Sequence, residues 1–166
     1  MIEETAEVEQ ESGSPREIEH VAGKTVQLIS FSVGKEAYCV DIMAVREIRA
    51  WTGTTTLPKT QDFVRGVINL RGIIVPIIDL RKRFGQGHTD PTKTHVVIIL
   101  AIGERLNGIL ADAVSDILTV PEDEIHAVPQ AEGEAENPFI DGLVTKDKQM
   151  VALISLERLI DQAVVH

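Results

Sequence analysis

Apolar and polar residues alternate along this chain in short bursts, with few stretches at helical spacing. Eight runs read as strands because each is short, alternating or rich in β-branched residues, and is bounded by turn residues. They are Thr25–Gly34, Glu36–Val40, Arg65–Leu70, Ile73–Ile78, Thr94–Gly103, Arg105–Ala111, Phe139–Thr145 and Gln149–Ile154. Three stretches read as short helices: Asp41–Ile48, Asp79–Phe84 and Ser155–Val164. The first two open on an aspartate and the third on a serine, side chains that cap the free N–H groups of a first turn.

The same pattern occurs twice. A slide of 69 residues lays "VGKEAYCVDIMAVREI" on "IGERLNGILADAVSDI", matching Gly34 to Gly103, Ala44 to Ala113, Val45 to Val114 and Ile48 to Ile117. A slide of 76 lays "FVRGVINLRGIIVPIIDLRKRF" on "FIDGLVTKDKQMVALISLERLI", matching Phe63 to Phe139, Gly66 to Gly142 and Ile78 to Ile154. Two alignments in the same order indicate an internal duplication, in which each half supplies about five strands and a helix. Strands this short close best as small barrels, which removes exposed edges. The expected fold is mostly β: two five-stranded barrel lobes with short helices, at 24–90 and 91–166, behind an acidic tail at 1–23.

Charge sharpens the division. The net charge is −10, and residues 1–20 contribute seven glutamates against one arginine. Such a segment has too little apolar surface to offset ordering entropy, so it reads as a solvating tail. A second acidic cluster, "PEDEIHAVPQAEGEAE", contrasts with "RGVINLRGIIVPIIDLRKRF", which holds four arginines and a lysine against Asp79. A broad basic face is missing, which argues against nucleic acid. No apolar run approaches the roughly 20 residues of a membrane span, and the N-terminus has no apolar signal core. A cytoplasmic protein without direct membrane insertion is expected. The one cysteine, Cys39, sits in an apolar alternating run and reads as a buried, inert thiol.

Candidate chemistry is sparse. The five histidines share no metal-ligand spacing, and the glycines at 85 and 87 precede an ordinary polar loop, not a phosphate cradle. Asp112 and Asp116 share a helix-like turn and read as solvent-facing. No metal, cofactor or catalytic set is expected, and a binding module is the stronger class. A small-molecule-binding barrel or enzyme would need a polar pocket.

Taken together, "VREIRAW", "FVRGVINLRGIIVPIIDLRKRF" and "GILADAVSDIL" resemble the CheW family of chemotaxis coupling proteins over about residues 24–162. The resemblance implies two five-stranded SH3-like barrels and a scaffold between methyl-accepting chemoreceptors and the CheA histidine kinase. A CheW-like adaptor of a pilus-motility or other non-flagellar array would read almost identically. Gln61 stands where the family commonly has proline, and Ala50 where it often has glycine. The resemblance implies protein-binding roles for Val45, Glu47, Ile48, Gly66, Arg71, Gly72, Val96 and Ile117, divided between the receptor tip and the kinase regulatory domain. For Val45, Val96 and Ile117 the competing reading is core, and for Gly66 it is backbone geometry. Arg71 is different: its repeat counterpart is Asp147. The "NLRG" segment should turn a hairpin, with Arg71 projecting from a barrel end towards Glu47.

Overall fold

A computed structural model describes residues 24–128 and 138–160. The acidic tail expected at 1–23, half of the second acidic cluster and the end of the third predicted helix lie outside them. Ten strands and two short helices follow in order: β1 Thr25–Val33, β2 Glu36–Asp41, β3 Val45–Ala50, β4 Val64–Leu70, β5 Ile73–Asp79, α1 Leu80–Arg83, β6 Val96–Ile102, β7 Arg105–Ala111, β8 Ala113–Pro121, β9 Ile140–Lys146, β10 Gln149–Ile154 and α2 Leu156–Ile160. The fold is mostly β, in two five-stranded sheets, as the alternating pattern predicts.

The sheets do not follow the two halves of the chain. One runs β8-β1-β2-β10-β9 and the other β3-β6-β7-β5-β4. Replacing each strand of the first sheet by its repeat counterpart gives the second, so the duplication is present. However, the first two strands of each half complete the sheet of the other. A boundary at residues 90 and 91 therefore does not separate two lobes. The first sheet is built from residues 25–41 and 113–154, and the second from residues 45–111. The expected contiguous lobes fail for a physical reason: exchanging equivalent hairpins leaves every local contact, and hence every local sequence signal, unchanged.

Each sheet curls back on itself. The segment after β3 meets β4 through paired bonds between Thr55 and Val67, at 2.9 and 2.8 Å. The segment after β8 meets β9 in the same way through His126 and Leu143, again at 2.9 and 2.8 Å. Closure is one bridge in each case, not a continuous ladder. Gly66 makes the first possible. At φ 148° it lies in glycine territory, and a Cβ there would stand 2.4 Å from the Thr55 carbonyl oxygen.

Three apolar clusters result. Leu70, Val75, Ile77, Val97, Ile99 and Leu110 fill the second sheet, while Leu28, Cys39, Leu118, Val144 and Val151 fill the first. The largest cluster lies between the sheets and draws Phe31, Tyr38 and Val40 from one and Ile78, Ile98 and Ile109 from the other. Cys39 is fully buried, and burial pushes its thiol up to about 12, so the inert reading holds.

The predicted helix over Asp41–Ile48 is a correction. A single 3-10 turn, Ile42–Ala44, capped by Asp41, leads straight into β3. β8 was likewise missed, because its first turn resembles a helix. In β3 the partly buried positions are Val45, Glu47 and Arg49, and the exposed ones are Arg46, Ile48 and Ala50. Its charges partly face in and an isoleucine faces out, the opposite of an ordinary half-buried strand.

Candidate functional site

The hairpin joining β4 to β5 turns on two residues, Arg71 at φ 51° and Gly72 at φ 91°. Both central positions are left-handed, as a type I′ hairpin requires, and Asn69 secures the turn by accepting from the Gly72 N–H at 2.7 Å. Arginine at a left-handed position costs about 1 kcal/mol relative to glycine. Turn stability therefore does not explain why an arginine stands there.

Its side chain goes where expected. Arg71 Nη2 donates to Glu47 Oε1 at 2.7 Å, and Arg49 Nη1 holds the other oxygen at 3.0 Å. The Arg71 hydrogen bond, helped by Arg49, holds the Glu47 carboxyl below the usual range despite partial desolvation. A bulge sets the register behind this pair: Val45 faces Leu100, Glu47 faces Ile99 and Ile48 faces Ile98, leaving Arg46 unpaired. The bulge puts Val45 and Ile48 on one face of β3, where Val45 packs against the cluster between the sheets and Ile48 stays exposed. Val96, opposite Ala50, shares that face.

The candidate residues separate accordingly. Val45 and Val96 are partly buried and pack against the central cluster, so the core reading applies to both. Gly66 is buried at the barrel seam, where backbone geometry accounts for it. Ile48 is 43% exposed and Ile117 is 58% exposed, which overturns the core reading for Ile117. Arg71 and Gly72 are exposed at the hairpin tip. Immediately after that tip Ile73 and Ile74 are also exposed, and Met43 projects from the 3-10 turn. Sequence reasoning passed over these three. The signal was present in two isoleucines that follow a turn before the buried alternation begins at Val75.

The repeat carries the motif again in altered form. Asp116 on β8, counterpart of Glu47, pairs with Lys146 at the end of β9. Asp147 and Lys148 then form the second left-handed turn, at φ 50° and 67°. Asp112, expected to face solvent, instead accepts from the Gly34 N–H at 2.9 Å and pairs with His95 Nε2 at 3.2 Å. Because His95 Nδ1 accepts from the Thr92 N–H, Nε2 carries the ring proton.

A polar cavity of about 350 Å³ follows the seam between β3 and β4, lined in part by Arg49, Thr52, Thr54, Thr55 and Asn69. Among the described residues that line it, Arg49 is the only one with an ionisable side chain. Among the described residues no group of three or more His, Cys, Asp or Glu side chains is placed to hold a metal ion. No helix among them is long and apolar enough to cross a membrane.

The CheW-like domain family matches residues 27–164. The chain belongs to the CheW-like family. It is 45% identical over 136 residues to a probable chemotaxis protein CheW of Rhizobium etli, covering 82% of this chain and 88% of that one. It is 38% identical over 145 residues to the chemotaxis protein CheW of Klebsiella aerogenes, covering 86% and 87%. The crystal structure of the scaffolding protein TtCheW from Thermoanaerobacter tengcongensis superposes with a TM-score of 0.75 at 33% identity, covering 83% of this chain and 94% of that one. The CheW-like assignment makes the function class that of a chemotaxis scaffold.

Proposed function

We propose that this CheW-like chain is a cytoplasmic adaptor that joins the cytoplasmic tip of methyl-accepting chemoreceptors to the regulatory domain of the CheA kinase, acting by binding and not by catalysis. The observation that carries the reading is the Arg71–Glu47 pair. It occupies an unfavourable backbone position at an exposed hairpin tip, beside isoleucines that folding leaves uncovered. Exposed aliphatic side chains next to a fixed charge pair suit the apolar stripe of an amphipathic partner helix. Within this reading Ile48, Arg71, Gly72 and Ile117 contact partners, and Glu47 fixes the Arg71 guanidinium. Val45, Val96 and Gly66 hold the β3 edge and the barrel seam in shape.

Arg71→Ala tests this. The variant should melt like the parent by circular dichroism and lose at least fivefold in receptor-coupled kinase activation. Normal coupling would remove Arg71 from the interface, and unfolding would make it a structural residue.

A further inference from the structure

The duplication lets one barrel serve as a reference for the other, and the two differ at one end. In the second sheet that end is plugged. Arg65 on β4 reaches Asp79 Oδ2 at 3.2 Å and the Thr89 carbonyl at 2.8 Å, with its guanidinium 5.5 Å from the centre of the Trp51 ring. The repeat puts Asp141 where Arg65 stands and Ser155 where Asp79 stands. The backbone frame is the same in both places, since the Asp79 N–H donates to Phe63 O at 2.8 Å and the Ser155 N–H to Phe139 O at 2.7 Å. Among the described residues no arginine stands at the position equivalent to Arg65, which Asp141 takes. A cavity of about 270 Å³ lies there, lined in part by Val26, Leu28, Ile125 and Leu153. Its remaining lining includes three carboxylates, Asp41, Asp141 and Glu157.

We infer that this cavity is a docking site for an arginine side chain presented by a partner protein. The aliphatic stem would lie on Leu28 and Leu153 while the guanidinium reaches the carboxylates, as the Arg65 guanidinium reaches Asp79. Three arguments support this occupant. The volume falls below the roughly 300–1,000 Å³ of small-molecule pockets, but suits one long side chain. The apolar floor and acidic rim complement a guanidinium on a hydrocarbon stem, and the planar fork matches carboxylates in a way an ammonium does not. The rim carries three carboxylates against one long ion pair: Arg158 Nη1 lies 3.9 Å from Asp141 Oδ1 and also donates to Pro138 O at 3.1 Å. The site is on the other sheet from the Arg71–Glu47 surface, so its failure would leave the proposed function standing.

The probe is an end-capped Leu-Arg-Leu peptide titrated into the isotopically labelled full chain and followed by amide NMR shifts. Saturable shifts confined to Val26, Leu28, Ile125 and Leu153 are expected. Affinity should fall at least tenfold for Leu-Gln-Leu, and at least threefold for Leu-Arg-Leu with Asp141→Asn. The double variant D141R/S155D, which builds the Arg65–Asp79 pair into this barrel, should abolish the shifts; if it fails to fold, Asp141→Asn decides. Equal binding of the two peptides, or no localised shifts, would overturn the inference. So would binding that appears only after residues 161–166 are removed, because the cavity would then belong to the chain's own end.

Discussion

Asp79 is the most heavily used polar side chain in the second sheet, and removing it should be costly. It is 1% exposed, and five hydrogen bonds converge on its two oxygens. Thr89 Oγ1 donates at 2.7 Å and Thr89 N–H at 2.9 Å, while Arg65 Nη1 donates at 3.2 Å. The N–H groups of Arg81 and Lys82, at 3.1 and 3.5 Å, make it the cap of α1. In Asp79→Ala the cap loss alone costs about 1 kcal/mol. The Thr89 donors, buried with nothing to replace the carboxylate, add roughly 1–3 kcal/mol. Arg65 keeps the Thr89 carbonyl and some solvent, so its loss of a counter-ion adds less than the full penalty of a buried charge. A total near 3–5 kcal/mol follows, a large share of the roughly 5–15 kcal/mol typical of a domain. Urea titrations monitored by circular dichroism should show the midpoint falling at unchanged slope. Amide hydrogen exchange should show Thr89 losing protection first. Asp79→Asn, which keeps an acceptor oxygen, should lose distinctly less. A loss under about 1 kcal/mol for Asp79→Ala would refute the view that this carboxylate ties Arg65, α1 and the 84–95 connection together.

Gly66→Ala should open the seam, since its Cβ meets backbone at 2.4 Å, and should destabilise by about 2–4 kcal/mol in a denaturant titration. Asn107 is fully buried, and neither side-chain polar atom has a hydrogen-bond partner among the described residues. Asn107→Leu should therefore raise the urea midpoint, by about 1–3 kcal/mol in stability. Cys39 should resist Ellman's reagent in the native chain and react on unfolding. With its folded value near 12 against an ordinary thiol value of 9.0, the unfolded state alone ionises in between, so stability should decline as pH rises above 9. Glu47 acts in the opposite range: its lowered value means that the pair's contribution is complete above the ordinary glutamate value and lost as pH falls through the folded one. Parent and Arg71→Ala should differ at neutral pH and converge in acid; a stability difference that persists undiminished once Glu47 is protonated would contradict the pairing.

Legibility in the sequence followed the range of the interaction. All eight strands read from alternation are present, as are α1 and the start of α2, because their signals are local. The two strands misread, β3 and β8, are repeat counterparts and failed for one reason. Both begin with a run that mimics a helical turn, and both leave an isoleucine exposed, Ile48 in one and Ile117 in the other. The strand exchange was illegible in principle, because offsets of 69 and 76 are the same whichever sheet a hairpin joins. Arg71 and Glu47 could be paired because a lone charge at a turn has few neighbours in reach. The Asp112 contacts with Gly34 and His95 could not, since they depend on how the two sheets cross.

The exchange also imposes an order on biosynthesis. Tyr38 of β2 pairs with Ala152 of β10, so the β1–β2 hairpin keeps an open edge until β10 has been made. At about 5–20 residues per second, the roughly 110 residues between them take about 5–20 s to translate. The second sheet, from β3 to β7, is contiguous in the chain and can close during that interval. The nascent protein thus carries one finished barrel and one waiting ribbon, and the ribbon is where a trigger-type chaperone would be needed most.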